Sequence, residues 1–255
     1  MALNRIVAGW AKRRVWVVGA SSGIGAATAE LLLERGARVA VSARSAQTLE
    51  ARFGARALVE PLDVTDHAAV KGVADRITGA WDGLDLVIDF AGSYRAARAW
   101  QLDAAEARAT VEVNLIGALN VVAATQHRLL EQGAGGIALV SSVAGYAGLP
   151  NSLVYGATKA ALINLAETLW LDLSPRGVSV YLINPGFVET PLTAQNRFRM
   201  PALIGAGEAA REILAGIERG AFDIHFPKRF TRAMKLLKLL PYPLQFALVR
   251  RYTGL

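Results

Sequence analysis

The sequence predicts an α/β fold, a doubly wound and mostly parallel seven-stranded sheet with helices on both faces. Three observations carry that expectation. Short apolar, β-branched runs alternate with longer helical stretches along nearly all of the 255 residues, the pattern that βαβ crossovers write into a chain. Runs such as Leu86-Val87-Ile88 lack in/out alternation, as strands covered on both faces do. The composition, 53% hydrophobic and 19% charged, supplies a core large enough for one domain of this size.

The first strand, Val15–Gly19, runs into Gly19-Ala20-Ser21-Ser22-Gly23-Ile24-Gly25 and then a helix over Ile24–Arg35. In this Gly-x-x-x-Gly-x-Gly turn, Gly19 permits a tight exit from the strand. Gly23 leaves room for a pyrophosphate, and Gly25 lets helix and strand approach. Ser21, Ser22 and Ile24 complete a candidate phosphate cradle at the helix N-terminus, where free N–H groups and the helix dipole favour an anion. A glycine-rich turn with no ligand is the plainer alternative.

The second strand, Arg38–Ser42, is followed by Ala43-Arg44-Ser45, with no carboxylate before Glu50. An acidic residue there would bond a ribose 2′-hydroxyl, whereas an arginine accepts a 2′-phosphate. Arg44 therefore points to NADP(H) rather than NAD(H), with Ser45 or Ser42 as an added hydroxyl, unless it is only a solvated charge. A helix over Ala46–Phe53 and a strand over Ala57–Pro61 lead to Asp63-Val64, and a helix over Ala68–Thr78 to the fourth strand, Leu84–Phe90. One long helix follows over Ala104–Gln132, then a strand over Gly136–Ser141 ending beside Ser142. Helix Val154–Ser174, strand Ser179–Asn184, helix Gly207–Arg219 and a weaker seventh strand, Phe222–Phe226, complete the pattern.

Tyr155 and Lys159 are one helical turn apart and share a face. A phenol titrates near 10, too high for a base at neutral pH. A cation about 4 Å away, at an effective dielectric near 20, is worth roughly 4 kcal/mol and brings it towards neutrality. Ser142 is placed to hold a substrate oxygen as charge develops. A Tyr-x-x-x-Lys pair alone is more often a surface pair; the glycine turn and the serine are what give it weight.

Together these residues resemble the short-chain dehydrogenase/reductases, single-domain enzymes of the Rossmann type, over roughly residues 13 to 226. The resemblance implies Ser142, Tyr155, Lys159 and Asn114 as the catalytic set, with Asn114 helping to hold a water that links the lysine to solvent. It implies that Asp63 and Val64 contact adenine, and that Ala91 and Gly92 approach the adenosine ribose. Pro185, Gly186 and Val188 then shape the backbone near nicotinamide, and Thr190 bonds its carboxamide or the phosphates. Tyr155 and Lys159 also belong to the cofactor site on this reading. One motif departs: where the family shows Asn-Asn-Ala-Gly, this chain has Asp89-Phe90-Ala91-Gly92, which removes polar bonds between neighbouring strands.

The net charge of +7 is a property of the tail. Seven basic and no acidic residues lie from Ile224 onward, leaving the first 223 residues balanced at 21 against 21. A nucleic-acid footprint is spread over a face of the fold, so no nucleic-acid partner is expected. The absence of cysteine excludes disulfides and thiolate metal sites; no metal site and a cytoplasmic location are expected. No leader is recognised, and no apolar run reaches the roughly 20 residues that span a bilayer.

Residues 1–226 are thus expected to form the catalytic domain and 227–255 a basic extension. In the extension, Phe230, Met234, Leu237 and Leu240 form an apolar row beside Lys228, Arg232, Lys235 and Lys238. That pattern suits a peripheral anchor on the inner face of a membrane, or a cover for the substrate pocket or a subunit interface. Residues 187–206 read as a lid, apolar through Leu192, Phe198, Met200, Leu203 and Ile204 but carrying Arg197 and Arg199. The implied function is NADP(H)-dependent reduction of a hydrophobic carbonyl compound, lipid-like or 3-oxoacyl, by a homodimer or homotetramer associating through its long helices. Oxidation of a secondary alcohol such as a steroid is one alternative; a non-catalytic nucleotide sensor on the same fold is another.

Overall fold

The computed structural model describes residues 2–196, 198 and 200–254. Strands β1 (Arg14–Val18), β2 (Arg38–Ser42), β3 (Leu58–Val59), β4 (Leu86–Asp89), β5 (Gly136–Val140), β6 (Ser179–Pro185) and β9 (Asp223–Phe226) form one sheet. Their order is β3-β2-β1-β4-β5-β6-β9, and every neighbouring pair is parallel. The chain starts in the middle, winds outward to β3, then returns beside β1 as β4. That reversal opens a crevice at the carboxyl ends of β1 and β4, where a doubly wound sheet places its ligand.

Both faces are covered, and adjacent strand residues divide between two cores. Trp16, Val87 and Ile137 face α3 (His67–Trp81), α5 (Gly117–Gln132) and α6 (Leu153–Leu173), which bring Val70, Val121 and Leu162. Val15, Val17 and Ile88 face α1 (Gly23–Glu34), α2 (Ala46–Phe53) and α7 (Ala206–Glu218), which bring Leu32, Leu49 and Ile213. The helix starts are locally encoded: Asp66 accepts a hydrogen bond from the Ala69 N–H at 3.0 Å to begin α3.

Several boundaries depart from the sequence expectation for identifiable reasons. The fourth strand begins at Leu86 instead of Leu84, because the Gln132 side chain takes both backbone groups of Leu84, at 2.9 and 2.7 Å. The third strand shrinks to Leu58–Val59 at the sheet edge. The expected single helix over Ala104–Gln132 is three pieces: α4 (Ala104–Val111), a π-helical turn at Glu112–Ile116, and α5. By length and composition that stretch could cross a membrane, but Val121, Val122 and Leu129 are buried in the core. A small pair not anticipated from the sequence, β7 (Val188–Glu189) with β8 (Ile204–Gly205), ties together the two ends of the segment expected to be a lid. Arg197 and Arg199, the cations expected in that lid, lie outside the described residues.

The tail is folded onto the domain. It forms α8 (Lys228–Lys238) and α9 (Tyr242–Thr253), the latter starting at a proline-bounded first turn. The inner side of α8 carries Phe230, Met234 and Leu237 against the core. Lys235 pairs with Asp223 of β9, and the Thr231 hydroxyl lies 2.6 Å from the His225 ring. The apolar row read from the sequence thus faces protein.

Candidate active site

A cleft of about 720 Å³ lies over the crevice at the carboxyl ends of the strands, within the size range of small-molecule sites. Its wall includes Gly19, Ser21, Ser22, Gly23, Ile24, Arg44, Asp63, Val64, Ala91, Gly92, Ser142, Tyr155, Lys159, Pro185, Gly186, Val188 and Thr190. Seventeen positions read from the sequence therefore line one space. Gly25 and Asn114 stand behind the wall.

The glycine turn does what its spacing implies. Gly19 has φ +81°, and a Cβ there would meet the Ala91 nitrogen at 2.7 Å. A Cβ on Gly25 would collide with the Gly19 carbonyl oxygen, so α1 could not approach β1. Ser22 begins α1 without capping it by its side chain, and the first turn carries no acidic residue. The leading N–H groups are left for an anion, which is the chemistry a dinucleotide diphosphate requires. Thr190 reaches over this turn from the opposite wall, its Cγ2 3.0 Å from where a Gly23 Cβ would stand.

On the side of the cleft after β2, Arg44 is exposed on the rim, and no ion pair engages it among the described residues. Asp63 accepts bonds from the Thr65 N–H at 3.0 Å and hydroxyl at 2.8 Å, which with Arg44 hold its carboxyl below the usual range. Ser42 cannot serve as the added hydroxyl. It is buried, and its Oγ accepts from the Trp16 indole at 2.9 Å. Ser45 is exposed but caps α2 through the Thr48 N–H.

At the other end, Ser142 follows β5, and its Oγ accepts from the Ala144 N–H at 3.1 Å, starting a 3-10 turn over Val143–Gly145. Tyr155 and Lys159 lie in the first two turns of α6. The Lys159 ammonium is buried; it donates to the Val140 carbonyl at 2.8 Å and lies 5.5 Å from the Tyr155 ring centre. The sequence expectation of a near-neutral phenol is not met. Burial pushes Tyr155 up to about 12, the Ser142 hydroxyl opposes this by bonding the phenolate, and Tyr94 adds a small upward push. Lys159 is pulled below its usual range by burial, and its opposing partner is the Asp89 carboxylate.

Asn114 is fully buried in the π-helical turn. Its amide donates to the Ser93 carbonyl at 2.9 Å and the Thr158 hydroxyl at 3.1 Å, and its oxygen accepts from the Ser93 N–H at 2.7 Å. These bonds brace the β4–α4 loop against α6, and single-turn π segments frequently mark such sites. Residues not singled out from the sequence also belong here. Tyr94 meets Tyr155 edge-on at 5.0 Å, and Ser141 Oγ donates to the Lys159 carbonyl at 2.7 Å. Neither follows a motif spacing. Phe90, which replaces a polar residue of the family pattern, packs in the core beside Gly25.

Residues 13–200 match the sequence model of a family described as short chain dehydrogenase. An uncharacterized oxidoreductase of Myxococcus xanthus is 37% identical, covering 94% of this chain and 97% of its own. A cis-4-hydroxycyclohexanecarboxylate dehydrogenase of Sinomonas cyclohexanicum is 35% identical over 82% and 85%. A 3-oxoacyl-[acyl-carrier-protein] reductase of Thermotoga maritima is 33% identical over 69% and 74%. Among solved structures, a Burkholderia phymatum short chain dehydrogenase/reductase in complex with NAD superposes with TM-score 0.83 at 23% identity, covering 90% and 94%. A Burkholderia cenocepacia short chain dehydrogenase in complex with NADP gives 0.76 at 28% identity, covering 85% and 95%.

Proposed function

This chain belongs to the short-chain dehydrogenase/reductase family, and from that premise we propose that it is an NADPH-dependent reductase of a hydrophobic ketone or aldehyde. It is an NAD(P)-dependent oxidoreductase acting between CH–OH and C=O groups. A bound nicotinamide would supply the hydride. The Ser142 hydroxyl holds the carbonyl oxygen, Tyr155 delivers a proton to it as negative charge develops, and Lys159 and Asn114 hold the floor of the site. The Gly19–Gly25 turn seats the diphosphate, Asp63 and Val64 the adenine, and Arg44 the 2′-phosphate.

The observation that carries the reading is the convergence of Ser142, Tyr155 and Lys159 with Gly19 and Gly23 of the glycine turn on one cleft. A protonated tyrosine in that cleft is the acid that carbonyl reduction needs. Hydrophobicity of the substrate rests on the apolar side chains that line the cleft, Phe90, Val113, Val188 and Leu192, and on the exposed Phe198 and Leu203 of the segment that follows Leu192. A long acyl chain or other lipid-like group suits such a lining. The Sinomonas relative is named for oxidation of a cyclic alcohol, which keeps that direction as the second reading. The test is a series of ketones and aldehydes of increasing chain length, each assayed with NADPH and with NADH. The expected result is kcat/KM rising with chain length and an NADPH preference; faster turnover in alcohol oxidation at pH 7 overturns the direction.

The exposed faces of α5 and α6, with Leu119 and Leu171 outward, are where a homodimer or homotetramer would form. The tail supports a peripheral position on the cytoplasmic face of a membrane, through a different surface from the row read in the sequence. Leu236, Leu239, Tyr242, Leu244 and Phe246 are exposed, among the outward cations Arg229, Arg232, Lys238, Arg250 and Arg251. A second copy of this surface would bring cation against cation across a two-fold axis, whereas anionic lipid neutralises each at about 1 kcal/mol. Removing the tail would strip Met234 from the core, so substitution is the sounder test. Wild type is expected to sediment with phosphatidylglycerol vesicles but not phosphatidylcholine vesicles, and Leu239→Glu/Phe246→Glu to stay in solution with carbonyl reduction intact. Equal sedimentation of the two proteins refutes the contact.

A further inference from the structure

We infer that a second pocket, at the amino ends of the strands and roofed by the chain before β1, binds a small carboxylate carried on a compact apolar body. The inference goes beyond the reductase reading and does not rest on it.

The pocket has a volume of about 190 Å³. Its floor is one register row of the sheet: Val15 of β1, Leu86 of β4, Gly136 of β5 and Ser179 of β6. Gly136 leaves room in that row for the Tyr181 ring, which a Cβ would meet at 3.0 Å. Gly19, four residues after Val15, lies in the catalytic cleft. At about 3.3 Å per residue the two spaces are about 13 Å apart, at opposite ends of the same strands. The roof is tied down at three points. The Asn4 side chain donates to the Val180 carbonyl at 2.7 Å and accepts from the Val180 N–H at 3.1 Å. The Val7 N–H donates to the Glu218 carbonyl at 3.2 Å, and the Trp10 indole to the Glu218 carboxylate at 2.6 Å. Protein interiors leave few voids larger than a water molecule. Here a roof bonded at its ends spans the gap, and Val7, Trp10 and Ile217 of α7 supply apolar walls.

The polar groups set the chemistry of the occupant. Tyr181 is 2% exposed, and its hydroxyl makes one hydrogen bond among the described residues, to the Arg5 carbonyl at 3.5 Å. That is beyond the ordinary range for two oxygens. Burial raises the phenol against the opposing influence of Ser179 and Arg13, so it stands as a donor. The charged residues around the pocket are Arg5, Arg13 and Asp85. The Asp85 carboxylate is already held by Arg14, whose guanidinium reaches both oxygens at 3.0 and 3.1 Å and whose N–H adds a bond at 2.8 Å. Half-exposed Arg13 therefore meets it only at 3.9 Å. A phenolic donor and an under-used guanidinium above apolar walls suit a carboxylate and not a cation. An apolar cavity of about 150 Å³ takes benzene, so this one admits a ring of that size with its carboxylate turned to Tyr181 and Arg13.

Calorimetric titration with benzoate tests the site. Wild type is expected to bind benzoate in the millimolar range, as so small a body allows, with NADPH present or absent. Benzyl alcohol should bind more weakly and benzylamine not at all. Arg13→Gln is expected to weaken benzoate about tenfold or more, the effect of losing a charge-assisted hydrogen bond. Val7→Trp, which fills the space from the roof, should abolish binding with the melting temperature retained. If Val7→Trp does not fold, Arg13→Gln, at an exposed position, still decides. Leu192→Trp, which narrows the catalytic cleft, should leave benzoate binding unchanged. Three results overturn the inference: no binding by wild type at about 10 mM benzoate, benzylamine bound as tightly as benzoate, or an affinity that falls in Leu192→Trp but not in Arg13→Gln. Carbonyl reduction enters none of these readings, so they stand whether or not the enzyme proves to be a reductase.

Discussion

Tyr155→Phe is expected to abolish carbonyl reduction while leaving the protein folded and the dinucleotide bound. The substitution removes one oxygen. The remaining ring can keep its edge-on contact with Tyr94 at 5.0 Å and its place 5.5 Å from the Lys159 ammonium. What disappears is the proton that must reach the substrate oxygen as hydride arrives at carbon. General acid catalysis contributes about 10²–10⁴-fold, and a donor lost from a developing oxyanion a further factor of the same kind. These overlap in one hydroxyl, so kcat should fall by about 10³–10⁴, or about 4–5.5 kcal/mol in the barrier. Cofactor affinity by fluorescence titration should change little, because the glycine turn and Arg44 are left intact and the cofactor site loses one oxygen. The melting temperature should hold, since the phenol makes no hydrogen bond essential to packing. A variant retaining even a tenth of wild-type turnover across a carbonyl series would mean that another group delivers the proton. Ser142 is the one to examine next, because its hydroxyl already acts on the phenol.

Much of this site was legible because its residues sit where strands end. A parallel sheet brings the carboxyl ends of β1, β2, β4, β5 and β6 to one edge, so Gly19, Arg44, Gly92, Ser142 and Pro185 converge once the strands are recognised. Tyr155 and Lys159 need only the helical period. What stayed hidden depends on contacts between distant positions. The lysine's cationic influence on Tyr155 was read from their spacing along one helix, but the ammonium donates to the Val140 carbonyl, which comes from another element. The break in the helix over Ala104–Gln132 follows from burying Asn114 among Ser93 and Thr158, which periodicity does not see. In the tail, spacing gave the apolar row correctly but not its direction: Phe230 stacks on Phe187 at 5.6 Å and Met234 enters the core. A sequence moment cannot distinguish lipid from protein as the apolar phase. The surface left over comes from Leu236, Leu239 and α9, which no single helical row connects.

Arg44→Asp is expected to reverse the choice of cofactor without touching the chemistry. The guanidinium stands exposed on the cleft rim after β2, with no ion-pair partner among the described residues. A 2′-phosphate there would meet a planar donor suited to its oxygens, a contact worth about 1.5–3 kcal/mol when charge-assisted. Aspartate withdraws that contact and sets a negative charge against the phosphate, yet can accept from the 2′-hydroxyl of NADH. The two changes act in opposite directions on the two cofactors. The ratio of kcat/KM for NADPH over NADH should therefore fall on the order of 10²–10³-fold, mostly through KM. Arg44→Ala should fall between, since it removes attraction without adding repulsion, and the gap between the variants measures the repulsive part. Wild-type affinity for NADPH should weaken as salt rises, because an exposed charge pair is screened over about 10 Å at 0.1 M; affinity for NADH should not. Stability should change by less than about 0.5 kcal/mol, as for most surface substitutions. An unchanged ratio would remove Arg44 as the phosphate ligand. The phosphate would then have to rest on Ser45 and Thr48, whose hydroxyls already bond each other at 2.8 Å and would have to part to receive it.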